Sequence, residues 1–143
     1  MVQVLRSVYD AMVAHALTTP SAECCGLLAG KSGTITRLFQ ATNVAENTAV
    51  RYEAAPHDVM RILGEIEGAG EQHLGIYHSH VNSPAYPSAT DRRLAAYDVA
   101  YVLISLKNRA NPSVRAFRVV KQHPADEDAE VHEEAIEIVD SPR

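Results

Sequence analysis

Hydrophobic residues recur at helical spacing in three stretches of the chain. The first runs from about residue 4 to residue 17 and ends before the breaker sequence at 18–21. The second begins at Pro56 and Asp58, keeps its apolar residues on one face, and stops at Gly68 and Gly70. The third covers residues 88–96. We therefore expect three helices in these ranges.

Shorter apolar runs bounded by turn residues predict five strands. They cover residues 24–29, 35–39, 74–80, 101–106 and 114–120. Ile136, Ile138 and Val139 allow a short last strand. Helical crossovers and hairpins alternate along the chain, which is typical of a mixed sheet. The pattern predicts a single α/β domain, a mixed β-sheet flanked by helices.

The charge distribution separates an acidic tail from a nearly neutral body. The chain has 143 residues, the usual size of one domain, and a net charge of −5. Residues 124–143 contain eight of the 18 acidic residues and one arginine, a charge of −7, which leaves +2 for the rest. We expect a domain at 1–123 and a solvated acidic tail at 124–143. The body has no basic cluster, so we expect no nucleic-acid partner.

The only cysteines, Cys24 and Cys25, are neighbours, and adjacent cysteines seldom form a disulfide. They indicate reduced thiols and a cytoplasmic protein. The first 17 residues interrupt their apolar pattern with Arg6, Asp10 and His15, which is unlike a signal peptide. No apolar run approaches the length that spans a bilayer, so we expect no membrane partner.

The segment from His78 to Asp91 carries the candidate chemistry. Alternate side chains of a strand leave the same face, so His78 and His80 can converge on one point. Two imidazoles and a carboxylate suit a catalytic zinc with one coordination position left open. We therefore expect one Zn²⁺ per chain, bound by His78, His80 and Asp91, in a metal-dependent hydrolase.

Each of these residues also has an ordinary structural explanation. A single histidine on a strand is usually a packing or surface residue. Two histidines at this spacing, followed by a carboxylate, are harder to explain in that way. Ser88 and Asp91 have the spacing of a helix capping box, which is compatible with a metal site because it would fix Asp91. A hydrolytic site also needs a carboxylate that is not a ligand. Glu23 is the candidate, and a solvated strand end is the alternative.

The combination of Glu23, His78-x-His80, seven residues, Ser88, two residues and Asp91 resembles the JAMM motif. This motif belongs to the MPN-domain zinc metalloproteases, the Mov34/PAD-1 family. The resemblance extends from the first helix to about residue 120 and implies an MPN-like domain. It implies zinc ligation by His78, His80 and Asp91, acid–base catalysis by Glu23, and a hydrogen bond from Ser88 to the oxyanion or the water. Many members have proline where this chain has Val81, which bears on the loop and not on the ligands.

The resemblance also implies a substrate class. Compact members without accessory domains resemble prokaryotic enzymes that process ubiquitin-like sulfur-carrier proteins. It implies hydrolysis after the C-terminal glycine of such a carrier, including release of cysteine from a carrier–cysteine adduct. A thin carrier tail requires a groove, which we expect between the loop at 82–87 and a sheet edge that can accept a strand. Tyr86 is either a wall of this groove or a packed aromatic residue of the loop.

Several alternatives remain open at the level of sequence. One is a deubiquitinase-like isopeptidase acting on protein conjugates, and another is a non-catalytic MPN interaction module. A mononuclear iron site can also use two histidines and one carboxylate. A cysteine hydrolase using Cys24 or Cys25 is the last alternative. The sequence does not determine the oligomeric state.

Overall fold

The computed structural model describes residues 1–124, 126 and 128–142. Glu127 of the acidic tail and the terminal Arg143 lie outside the described residues. The elements follow in chain order: β1 (Val2–Leu5), α1 (Arg6–Thr18), β2 (Cys25–Lys31), β3 (Thr34–Ala41), α2 (Pro56–Gly68), β4 (Gln72–His80), α3 (Ala89–Leu94), β5 (Ala100–Ser105), β6 (Ser113–Val120), β7 (Glu130–Glu134) and β8 (Ile136–Val139).

The strands form one eight-stranded sheet in the order β7-β6-β5-β4-β2-β3-β1-β8. Strand β4 is parallel to β5, and β1 is parallel to both β3 and β8. The other four neighbouring pairs are antiparallel. The prediction of an α/β domain with a mixed sheet is therefore confirmed.

The chain begins with a strand and not with a helix. We predicted a helix from residue 4, but Val4 and Leu5 belong to β1 and the helix starts at Arg6. Val2 and Val4 alternate with less buried neighbours, which is the period of a strand. Val4 pairs with Ile35 and Ile138, and these contacts come from distant segments that helical spacing does not reveal.

The third helix is shorter than predicted, and part of the acidic tail is in the sheet. Helix α3 ends at Leu94, because Ala95 has extended backbone angles (φ −62°, ψ 119°). The short last strand that the sequence allows is β8. The sequence pattern missed β7, whose buried-and-exposed alternation is weak and whose residues are mostly glutamates. Its Glu133 forms a two-bond ion pair with Arg115 of β6.

The sheet separates two hydrophobic layers. Helix α1 packs Val8, Met12 and Ala16 on one face, together with Leu28 and Tyr77 of the sheet. The opposite face carries one cluster under α2 and a second around Tyr101, Leu103 and Phe117. Along β4, Ile76 and Tyr77 lie on opposite faces, so His78 and His80 share the face of Ile76. This face holds the candidate site.

Two glycines of the first hairpin have a clear structural reason. Ser32 and Gly33 form the two-residue turn from β2 to β3 with φ of 54° and 78°, the positive values that favour glycine. A Cβ atom at Gly26 would collide with the ring of Tyr77 and the carbonyl of Phe39. Gly26 therefore lets β4 lie close against β2.

No helix of the described residues is long and apolar enough to cross a bilayer.

Candidate metal centre

The pairing of two strands brings distant parts of the sequence together. Strands β2 and β4 are antiparallel, with Cys25 opposite His78. The beginning of β2 therefore lies beside the end of β4. Two hydrogen bonds extend this pairing beyond β2, from the Ser79 amide to the Cys24 carbonyl (3.1 Å) and from the Cys24 amide to the Ser79 hydroxyl (2.9 Å). Glu23 thus reaches the same end of the sheet as the two histidines.

Three side-chain atoms converge at the end of β4. The Nε2 atoms of His78 and His80 are 3.2 Å apart, and each is 3.1 Å from Oδ2 of Asp91. A tetrahedral zinc with bonds of 2.0–2.1 Å separates its ligands by about 3.3–3.4 Å. The observed triangle is within about 0.3 Å of that spacing, so these residues fit the metal that their types suggest.

Asp91 is positioned by the start of α3. The Asp91 amide donates to the Ser88 hydroxyl (3.1 Å), and the Ser88 amide donates to Oδ2 of Asp91 (2.9 Å). This reciprocal pair is the predicted capping box. The oxygen that faces the histidines is the same oxygen that accepts the cap bond. The cap and the site therefore share one atom, and neither explanation of Asp91 excludes the other.

Glu23 is buried beside this triangle. It is 5% exposed, and one of its carboxylate oxygens lies within 4.8 Å of the ring nitrogens of His78 and His80. Its backbone is fixed, because its amide donates to Thr48 (2.7 Å) and its carbonyl accepts from Asn43 (2.9 Å). Its Oε1 is buried and has no hydrogen-bond partner among the described residues. A buried carboxylate oxygen without a partner is costly, which is typical of a functional group.

The same environment shifts the pKa values of the site. Burial raises the pKa of Glu23 to about 7, and the Asp91 charge adds to this while His80 opposes it. Burial lowers the pKa of His78, which favours the neutral imidazole that binds a metal. Burial also opposes ionisation of Asp91, but hydrogen bonds with His78 and His80 outweigh it and lower its pKa far below the ordinary range.

A cavity of about 560 Å³ opens beside Asp91. One wall is the loop between β3 and α2, and the other is α3. The lining residues are Ala45, Glu46, Arg51, Tyr52, Glu53, Thr90, Asp91, Arg93 and Leu94. A second cavity, of about 390 Å³, lies beside the loop at 82–87, where we expect the groove, and Pro84 and Ala85 are among its lining residues. Tyr86 is exposed, contacts Phe117 edge-on, and is not among the residues that line this cavity.

The cysteines do not have the properties of nucleophiles. Cys24 and Cys25 are free and buried. Burial raises the pKa of Cys25 to about 12 and also raises that of Cys24, although a hydrogen bond with Ser79 opposes the second shift. Both thiols therefore stay protonated near neutral pH, and a thiolate is the form that attacks. The alternative of a cysteine hydrolase loses its support.

Sequence reasoning selected Glu23, His78, His80, Ser88 and Asp91, and the structure places all five around one point. Sequence reasoning missed the residues between β3 and α2 that contact this site. Asn43 and Tyr52 lie between β3 and α2, where the sequence pattern predicts neither a helix nor a strand, and Tyr52 stacks on His78. A hydrophobic pattern cannot identify such residues, because their contacts with Glu23 and His78 join positions that are 20 and 26 residues apart.

Comparisons with known proteins match almost the whole chain. Residues 5–120 match the family model of prokaryotic homologs of the JAB domain. A CysO-cysteine peptidase from Mycobacterium tuberculosis is 36% identical over 134 residues, which are 92% of this chain and 86% of the relative. A desampylase from Haloferax volcanii is 43% identical over 94 residues, 62% of this chain and 68% of the relative. The solution structure of a Desulfitobacterium hafniense protein, 27% identical, has a TM-score of 0.83 and covers 99% of this chain and 94% of that chain.

Proposed function

The chain belongs to the family of prokaryotic JAB-domain proteins, and we propose that it is a zinc metallopeptidase of the JAMM type. Its substrate is the bond after the C-terminal glycine of a ubiquitin-like or sulfur-carrier protein. The observation that carries the proposal is the triangle of His78, His80 and Asp91 with the buried Glu23 beside it, whose Oε1 has no hydrogen-bond partner among the described residues. We also assign the protein to the cytoplasm, in keeping with its two free thiols.

The two carboxylates of the site have different surroundings, which supports different roles. Asp91 is 3.1 Å from both histidine nitrogens and its pKa is strongly lowered, as suits a metal ligand. Glu23 forms no hydrogen bond with either histidine, and its pKa is raised to about 7. A general base works best when its pKa is near the operating pH. We therefore assign ligation of one Zn²⁺ to His78, His80 and Asp91, and proton transfer to Glu23.

The mechanism uses the chain's own residues in a fixed order. Zinc bound by the triangle would supply a water of lowered pKa and polarise the scissile carbonyl. Glu23 accepts the proton as the water attacks and then returns it to the leaving nitrogen. The Ser88 hydroxyl donates to the developing oxyanion while its oxygen continues to accept the Asp91 amide bond. Ser88 is exposed, so a substrate can reach it.

The cavity beside Asp91 is the place for the residues around the scissile bond. Its walls carry Arg51, Arg93, Glu46 and Glu53, so a polar or charged leaving group would find partners there. The name of the Mycobacterium tuberculosis relative favours a carrier–cysteine adduct as substrate. A Thermus thermophilus relative is named a probable TtuB-protein conjugate cleaving protease, which favours an isopeptidase acting on protein conjugates as the second candidate function.

A direct test uses the full chain loaded with zinc and two substrates. The first is a ubiquitin-like carrier whose C-terminal glycine is extended by one cysteine, and the second is the same carrier joined to a lysine side chain. We expect hydrolysis after the glycine, read by mass, and loss of the activity with a chelator. Glu23→Gln should lower the rate about 10²–10⁴-fold while zinc stays bound.

Glu65→Gln is the matched control, because Glu65 is a glutamate on α2 whose side chain is half exposed and paired with Arg61. It should leave the rate unchanged. The proposal fails if zinc-loaded protein cleaves neither substrate, or if Glu23→Gln cleaves as fast as the wild type. Activity restored by ferrous iron and not by zinc would instead support the mononuclear iron site.

A further inference from the structure

The two histidines of the triangle are held in different ways. A metal-binding histidine usually donates its second ring N–H to an acceptor, and this bond fixes the orientation of the ring. Nδ1 of His80 has such a partner, the carbonyl of Pro84 at 2.8 Å. Nδ1 of His78 is buried and has no hydrogen-bond partner among the described residues. The more deeply buried ligand therefore lacks the usual anchor.

An aromatic ring lies where it can replace that anchor. The ring of Tyr52 is stacked on the imidazole of His78, with centroids 4.3 Å apart and planes 26° from parallel. The other four ring contacts of the described residues are edge-on, with interplanar angles of 62–78°. A stacked neighbour restricts rotation of the imidazole about its bond to Cβ. It does so without a hydrogen bond.

Tyr52 is itself held on both sides by one amide side chain. Asn43 donates to the carbonyl of Arg51 (3.1 Å), and its oxygen accepts the amide of Glu53 (3.0 Å). The second N–H of the same amide donates to the carbonyl of Glu23 (2.9 Å). The neighbours of Tyr52 in sequence are thus tied to the backbone of the proposed base. The backbone on either side of Tyr52 is therefore fixed relative to the site.

We propose that Tyr52 is the positioning residue of His78, and that its ring does by stacking what the Pro84 carbonyl does for His80. This inference rests on the proposed zinc site. A metal-bound imidazole carries part of the metal's positive charge, and an electron-rich aromatic face attracts such a charge. The stack should therefore favour the metal-bound state as well as the correct ring orientation. The contribution comes from the ring and not from the hydroxyl group.

The test compares the zinc affinities of Tyr52→Phe and Tyr52→Leu, measured by competition with a chromophoric chelator. Tyr52→Phe keeps the ring and should bind zinc within about twofold of the wild type. Tyr52→Leu should weaken binding about tenfold, as expected when a residue that orients a metal-binding histidine is lost. The visible absorption bands of the Co²⁺-loaded protein should change in the leucine variant alone. Tyr97→Leu is the matched control, since Tyr97 lies edge-on to His73 outside the triangle.

Three outcomes would overturn the inference. These are wild-type zinc affinity in Tyr52→Leu, equal losses in the leucine and phenylalanine variants, and an equal loss in Tyr97→Leu. If Tyr52→Leu fails to fold, proton NMR of the zinc-loaded wild type decides. The ring protons of His78 should be shifted upfield relative to those of His80 by the Tyr52 ring, and equal shifts would count against the stack. Zinc affinity is measured without substrate, so a failure here is distinct from a failure to cleave carrier proteins.

Discussion

The candidate metal centre has two halves that are built differently. His78 and His80 lie on β4, which is paired on both sides and leaves them 1% and 3% exposed. Asp91 and Ser88 lie at the start of α3, a helix of six residues of which none is buried. One half is part of the sheet core, and the other rests on the surface.

Different interactions hold the two halves in place. Backbone pairing with β2 and β5 fixes the positions of the histidines before any ligand arrives. The position of Asp91 depends on the capping box, on its contacts with the two histidines, and on two side-chain bonds of α3. These bonds run from Arg92 to the Pro87 carbonyl and from Lys121 to the Arg93 carbonyl. The histidines are therefore held by backbone pairing in the sheet, whereas Asp91 is held by side-chain hydrogen bonds of a helix with no buried residue.

The largest expected effect comes from removing one ligand from each half. His80→Ala and Asp91→Ala should each weaken zinc binding on the order of 10²–10³-fold and abolish hydrolysis. His80→Ala should also lower the Tm of the metal-free protein by about 5 °C, because it leaves a cavity and an unpaired Pro84 carbonyl. Asp91→Ala should lower it by a smaller amount, because it removes the hydrogen bonds of Asp91 but leaves no cavity in the sheet. Chelator competition and thermal unfolding check both statements, and equal Tm losses would contradict the comparison.

A smaller effect should separate the two roles of Ser88. Ser88→Ala removes both the cap acceptor and the proposed oxyanion donor, so we expect kcat to fall about 10²-fold and zinc affinity to fall as well. Ser88→Asn keeps a good cap acceptor but has no hydroxyl group. It should retain wild-type zinc affinity and still lose activity. Steady-state kinetics beside zinc titration measure the split, and identical behaviour of the two variants would show that the cap does not matter.

The smallest expected effect concerns the buried carboxylate of Glu23, beside the two histidines. Burial raises the pKa of Glu23 to about 7, above its ordinary value, so the folded state holds this proton more tightly than the unfolded state. The resulting stability is complete below about pH 4.3 and is lost as the pH rises to 7. Glu23→Gln removes that loss.

The metal-free Glu23→Gln variant should therefore have a Tm about 3 °C above the wild type at pH 8, and the difference should shrink toward pH 5. Thermal scans of both proteins across this range test the sign. A difference that is constant with pH would mean that Glu23 is ionised throughout, and the buried half would then carry no such cost.

Most of the sheet and the candidate site residues could be predicted because their signals lie within short stretches of the sequence. Strand β4 shows its apolar run and its two histidines within nine residues, and the capping box spans only four. Glu23 could be selected because a hydrolytic site requires a second carboxylate. The structure brings these residues together, and their catalytic and ligand roles remain predictions.

The features that the sequence did not predict depend on contacts between distant segments of the chain. Val4 has the spacing of a helix, but its neighbours in β3 and β8 place it in a strand. The stacking of Tyr52 on His78 joins residues 26 positions apart, across a loop with no periodic pattern. Strand β7 has no apolar pattern that would predict it, because it consists mostly of glutamates. Pairing with β6 and ion pairs such as that of Arg115 with Glu133 stabilise it instead. Local sequence carries no signal for any of these.

Strand β8 covers the edge of a strand whose valines belong to the core. Strand β1 pairs with β3 at only two positions, whereas it pairs with β8 at four, and its Val2 amide donates to the carbonyl of Ala135. Without residues 136–139, β1 would become the edge of the sheet and would expose unpaired backbone groups beside Val2 and Val4. Loss of these four residues should therefore favour pairing with other chains, that is, aggregation.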